Sequence, residues 1–203
     1  MTKTSTQPYD DDRALAAMCS AGDRAAQRAL FEREKRHVHA TLYRILGSNT
    51  DMDDLVQDTF LQVFRSVGSF RGDALLSTWI DRIAVRVAHA YIGRRRPAPT
   101  RLSVVPEPAD DSPHAEQRSM DREAARRLYA MLERLDATQR VAFTLHVLDG
   151  RPLRTIAEAM DASLAVTKSR VWRAMRWVEA RARRDPLLAA YLRVGSDATE
   201  VRS

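Results

Sequence analysis

A chain of 203 residues is long enough for one large or two small domains, each able to bury its own core. Cys19 is the only cysteine, which excludes an intrachain disulfide and a zinc–cysteine cluster and fits a reducing cytoplasm; no apolar stretch is long enough to span a bilayer, and the polar N-terminus lacks a signal-peptide core. The net charge of +6 is uneven: residues 98–121 carry a net −3, whereas residues 122–203 carry 16 Lys and Arg against 10 Asp and Glu, the electrostatic footprint of a nucleic-acid binder; an acidic substrate or a membrane surface would also suit the charge, but neither explains the turn motif in the second half of the chain.

No alternating strand pattern of useful length occurs, and Ala, Leu, Arg and Glu dominate, so an all-α chain is predicted. The first helix is expected over Asp12 to Ala21, its acidic start placed at the favourable end of the helix dipole. Asp23 caps a longer helix from Arg24 to Leu46, with Ala26, Leu30, Val38, Leu42 and Ile45 inward. Gly47-Ser48-Asn49 turns the chain into a third helix, Asp51 to Val67, with Leu55, Val56, Phe60, Val63 and Phe64 on its apolar side. A polar loop, Ser69 to Thr78, precedes a fourth helix from Trp79 to Arg96. These elements make a first domain over residues 12–96.

Five of the eight prolines (Pro97, Pro99, Pro106, Pro108 and Pro113) fall in the acidic stretch 97–119, which reads as a flexible linker. A second domain, 120–184, opens with helices from Met120 to Leu135 and from Ala137 to Leu148. Gly150-Arg151-Pro152 then breaks the chain, and Leu153, Ile156, Ala157 and Met160 recur on one helical face. After Asp161-Ala162-Ser163, with Ser163 as N-cap, a further helix places Leu164, Val171, Ala174, Met175 and Val178 on one stripe. Ser169, Trp172, Arg173 and Arg176 face the other way, flanked by Lys168 and Arg170. An apolar back with a front of Ser, Trp and Arg is a helix built to enter a DNA major groove, so a helix-turn-helix is predicted. The tail, 185–203, offers Leu187, Leu188, Tyr191 and Leu192 for one or two more helical turns.

Several motifs together resemble the bacterial RNA polymerase sigma factors of the extracytoplasmic-function (ECF) type. In the first domain they are Ala21-Gly22-Asp23, Asp53 to Phe60, Ser69-Phe70-Arg71-Gly72-Asp73 and Ser77 to Ala84, which are similar to sigma region 2. In the second they are Ile156-Ala157-Glu158 and Lys168 to Ala174, similar to region 4. The resemblance implies a promoter-specificity subunit with no catalysis and no cofactor. Its partners would be core RNA polymerase (the β′ clamp helices and the β flap), promoter DNA and an anti-sigma protein that holds it inactive, with no membrane insertion.

The same resemblance assigns residues. Asp53, Asp54, Gln57 and Asp58 would contact the clamp helices, acidic groups facing basic partners; a metal site is the alternative, but the calcium-loop spacing is absent. Phe70, Arg71, Trp79, Arg82 and Arg86 would handle the melted −10 element, with Phe70 and Trp79 equally suited to a core. Arg94 to Arg96 add cations. The family commonly has Asn where Arg86 stands, which bears on the preferred −10 base. Lys168, Ser169, Arg170, Trp172, Arg173 and Arg176 would meet the −35 element, an Arg fork on guanine contributing about 1–3 kcal/mol of discrimination. The usual turn glycine is Asp161 here, a residue that tolerates a left-handed backbone better than most. The linker would run along the polymerase's RNA exit path. A conventional repressor or activator that uses only the helix-turn-helix is the competing reading, and it has no need of the Asp53 to Phe60 or Phe70 to Ile83 motifs. An enzyme is disfavoured: His37 and His39 diverge on a helix, and no nucleophile–base pattern stands near His89, His114 or His146.

Overall fold

The computed structural model describes residues 7–94 and 115–190. The described residues are all-α in two helical groups: α1 (Gln7–Ser20), α2 (Arg24–Leu46), α3 (Met52–Ser66) and α4 (Leu76–Arg94), then α5 (Ala115–Leu132), α6 (Ala137–Phe143), α7 (Leu153–Ala159) and α8 (Leu164–Ala182). The expected linker prolines, together with Arg95, Arg96, Tyr191 and Leu192, lie outside the described residues.

Local chemistry explains most boundaries. Asp23 caps α2 as expected, its Oδ1 accepting from the N–H groups of Ala25 and Ala26 at 2.8 and 3.1 Å. Gly47 ends α2 in the left-handed region (φ 68°), donating its N–H to the Tyr43 carbonyl. Asp136 caps α6 and Ser163 caps α8, each accepting from the N–H three residues on. Helix α6 loosens at its end into a π-helical turn, Thr144–Leu148, before Gly150 (φ 68°) reverses the chain. Asp161 takes φ 48°, the left-handed value its place in the turn requires.

Three expectations are corrected. Helix α1 begins at Gln7, so Asp12 lies inside it and is buried; it serves another helix, not its own dipole. Helix α4 begins at Leu76, three residues before Trp79, because Leu76 and Ile80 are both needed to close the core. On α8 the inward stripe runs through Thr167, Val171, Ala174, Val178 and Ala182, whereas Leu164 and Met175 are 48% and 37% exposed. Leu164 belongs to the first turn of α8, and Thr167 takes the inward position, its hydroxyl returned to the Ser163 carbonyl at 3.0 Å.

Helix α4 is the hub. Leu76, Ile80, Ile83, Ala84, Val85, Val87 and Ala88 are all buried, so α4 is apolar over more than half of its circumference. One side packs on α2 and α3 through Leu30, Val38, Leu42, Phe60 and Val63; another meets α6 and α7. One continuous core therefore includes Val141, Ala142, Leu145, Ile156 and Ala159 of the second group. Each fully buried Leu or Ile contributes about 1.5–3 kcal/mol relative to exposure. Smaller clusters, around Leu132, Phe143 and Val178 and around Ala124, Ala182 and Leu188, join α5 and the turn at 186–190 to α8. Cys19 is fully buried, and burial pushes its thiol up, consistent with a packing role.

Polar groups complete the docking of the two helix groups. Arg140 of α6 donates from Nη2 to the Leu46 carbonyl (2.7 Å) and from Nε to the Ile45 carbonyl (3.3 Å), so its cation caps the C-terminus of α2. Tyr129 of α5 donates its hydroxyl to the Arg44 carbonyl at 2.7 Å while its ring covers Gly47. Burial raises the Tyr129 phenol to about 12.

Candidate nucleic-acid interface

Helix α3 is buried along Met52, Leu55, Thr59, Phe60 and Val63, which turns Asp53, Asp54, Gln57 and Asp58 together onto its exposed side. The four residues that the sequence assigns to one contact thus share one acidic face. Beside it, a 510 Å³ pocket between α2 and α3 is lined by Phe31, Lys35, Arg36, His39, Asp53 and Val56. Among the described residues no group of three or more His, Cys, Asp or Glu is placed to hold a metal ion.

The second set is split. Phe70 and Trp79 meet edge to face at 5.9 Å, both half-buried against the core, so each ring combines a packing role with an accessible edge. Arg71 and Arg86 are exposed. Arg82 instead turns toward α7, where its Nη2 pairs with Glu158 Oε2 at 2.5 Å. One helical position earlier, Asp81 is buried and forms the polar centre of the joint between the helix groups. Arg151 donates to both of its carboxylate oxygens, the Thr41 hydroxyl donates at 2.6 Å and His37 Nε2 lies 3.1 Å away. Burial alone would raise the Asp81 pKa, but the hydrogen bonds from His37, Arg151 and Thr41 outweigh it and hold the group at about 2. The same contact raises His37. Arg151 also pairs with Asp149, which in turn pairs with Arg44 of α2.

On α8 the third set stands together. Lys168, Ser169, Trp172, Arg173 and Arg176 are exposed and Arg170 is half-buried. Trp172, at 61% exposure, is the most exposed large apolar side chain among the described residues, and the Arg176 guanidinium lies 5.5 Å from its ring centroid. Arg173 donates from Nε to the Ser169 carbonyl at 3.3 Å, lying along the helix with its fork toward solvent. An aromatic surface ringed by three or four cations, on a helix backed by α7 and capped at Ser163, can lie along a duplex, binding phosphates with its edges and bases with its centre.

Sequence reasoning missed Asp81, Arg151, Glu158 and Arg140 as parts of this architecture. Their partners lie 70 to 110 residues away, beyond any local spacing signal. The usable clue was α4 itself, whose apolar residues exceed what one packed face needs.

The fold and these surfaces define an all-α protein with a helix-turn-helix in its second half and an exposed basic face on α8. Comparison with known proteins specifies the class. Residues 30–97 match the Sigma-70 region 2 model, and residues 125–178 match Sigma-70, region 4. The chain is 33% identical over 177 residues to the ECF RNA polymerase sigma-E factor of Haemophilus influenzae, covering 83% of this chain and 93% of that protein. It is 31% identical over 172 residues to the Escherichia coli protein of the same description, covering 80% and 90%. The solved structure of CnrH in complex with the cytosolic domain of CnrY superposes with a TM-score of 0.57 at 25% identity, covering 86% of this chain and 98% of that one. That of RpoE in complex with the anti-sigma factor NepR from Bartonella quintana shares the fold at 20% identity and a TM-score of 0.50, covering 78% and 97%. The chain belongs to the ECF RNA polymerase sigma factor family, and is accordingly a transcription factor, not an enzyme. No helix among the described residues is long and apolar enough to cross a membrane.

Proposed function

We propose that this chain binds bacterial core RNA polymerase and selects the promoters at which it initiates. The acidic face of α3 (Asp53, Asp54, Gln57 and Asp58) is the surface for the β′ clamp helices, and residues 120–184 reach the β flap. The loop 69–78 and α4 hold the melted −10 strand, with Phe70 and Trp79 offering ring surface to unstacked bases and Arg71, Arg82 and Arg86 offering charge to phosphates. Helix α8 reads the −35 element through Lys168, Ser169, Trp172 and Arg173, with Arg170 and Arg176 on the backbone.

The observation that carries this reading is the presence, in one chain, of a four-residue acidic face on α3 and a basic, tryptophan-centred face on α8. A repressor needs only the second. Two DNA-reading units on one chain also gain affinity through effective concentration. Control by an anti-sigma protein belongs to the same reading, supported by the likeness to CnrH, which is solved with the cytosolic domain of CnrY.

The test is a titration of core polymerase with labelled chain. Reversing Asp53 and Asp54 to Lys weakens binding by roughly tenfold or more, as expected for charged pairs at an interface. An unchanged affinity removes α3 from the interface, and no binding by the unaltered chain rejects the proposal.

A further inference from the structure

Two consecutive residues of α1 grip both ends of the loop between the Val67–Ser69 turn and α4. Asp12 is 6% exposed, and a buried carboxylate needs partners. Its Oδ2 accepts from the Leu76 N–H at 2.7 Å, and its Oδ1 accepts from Arg33 Nη2 at 2.9 Å. Leu76 opens α4, and its N–H is one of the groups that a helix leaves unpaired at its start. Asp12 is thus an N-cap supplied by a different helix, 64 residues away, and it fixes where α4 begins. Arg33 is steadied in turn by Glu34 at 2.9 Å.

Arg13 holds the other side. Its Nε donates to the Arg71 carbonyl at 3.1 Å, and its side chain lies across Gly72. A Cβ at Gly72 would stand 2.0 Å from that Nε, and the backbone there has φ +75°. Only glycine gives both the turn and the room for the arginine. At its start the loop is tied by the Phe70 N–H to the Val67 carbonyl at 3.0 Å. What remains between the grips is 73–75, in the loop that runs from Phe70 to the start of α4, where Phe70 and Trp79 meet edge to face.

We infer that Asp12 and Arg13 are positioning residues for capture of the melted −10 strand, through the loop and the start of α4. The inference rests on the reading of 69–78 proposed above. A loop with an exposed Arg71 and little buried surface would otherwise have to be ordered by its ligand, at a cost in affinity. Both residues precede the region 2 match, which begins at residue 30.

The experiment uses holoenzyme assembled from core polymerase and full chain. Its probe is a labelled single-stranded oligonucleotide carrying the non-template −10 strand of the start site used upstream of the chain's own gene. Arg13→Ala, a change at an exposed contact, weakens oligonucleotide binding roughly fivefold, and Asp12→Ala roughly tenfold, while affinity for core polymerase is unchanged. Arg13→Lys, which keeps a donor over Gly72, recovers most of the loss. Amide exchange in the free chain gives a second reading: the Leu76 amide exchanges faster in Asp12→Ala, and α2 and α3 do not. Unaltered oligonucleotide affinity in both variants overturns the inference, as does a parallel loss of core binding in Arg13→Ala, which would mean a general support of the domain. Failure of the unaltered holoenzyme to bind the probe instead overturns the −10 reading, and this inference with it.

Discussion

Arg82 of α4 and Glu158 of α7 form an ion pair at 2.5 Å that crosses from one helix group to the other. It joins a residue assigned to the −10 strand to the first helix of the helix-turn-helix. With both helix groups docked, a phosphate has to displace Glu158 to reach Arg82. The two side chains are 33% and 47% exposed, so solvent screens the pair and it contributes at most about 1 kcal/mol. Glu158→Gln is therefore expected to strengthen binding of single-stranded DNA by the free chain by about twofold to fivefold. Fluorescence anisotropy at several salt concentrations checks this, the gain shrinking as salt rises.

The Asp81 node titrates in two directions. Asp81 ionises at about 2 in the fold against an ordinary value of 3.8, so its contribution of about 2 kcal/mol is present above 3.8 and is lost as pH falls through about 2. His37 is raised above its ordinary 6.5, so its contribution is complete below that value and is lost as pH rises through the raised one. Urea midpoints are expected to be highest between about pH 4 and 6 and to fall on either side. Asp81→Asn flattens both arms of the profile. It also leaves Asp149 as the one carboxylate among the described residues that Arg151 meets in the joint, at a cost of about 1–3 kcal/mol.

Gly47→Ala adds a Cβ 2.2 Å from the Tyr129 ring, at a left-handed φ of +68°. The substitution is expected to push α5 off the end of α2 and to open the joint. Small-angle scattering should then give a larger radius of gyration, while circular dichroism retains the helical signal. An unchanged radius would mean that Tyr129 is not needed for docking.

Helices and caps were legible because their signals are local. Asp23 and Ser163 lie within three residues of the amides they cap, and the Asp161 turn follows from its position between two periodic segments. The α8 face was legible for the same reason, whereas Asp53, Asp54, Gln57 and Asp58 on α3 were picked out by the family resemblance. What local spacing could not yield is pairing across the fold. Asp12 read as a favourable charge at the start of its own helix, yet it caps Leu76; Arg151 read as part of a turn, yet it meets Asp81. Leu164 and Met175 read as core because a stripe drawn on a helix ignores where the neighbouring helix ends.

Arg173→Ala separates base reading from phosphate attraction on α8. Loss of an arginine that contacts a base costs about 1–3 kcal/mol on the promoter and much less on unrelated duplex. Competitive gel-shift titration with both DNAs measures the ratio. An equal loss on both would place Arg173 on phosphates.

The most direct test of the central claim is run-off transcription by core RNA polymerase, with and without this chain, on the DNA upstream of its own gene. The account predicts a single defined start site that appears only when the chain is present and disappears with Asp53 and Asp54 reversed to Lys. Chain that binds this DNA through α8 yet leaves core polymerase without a start site would contradict it.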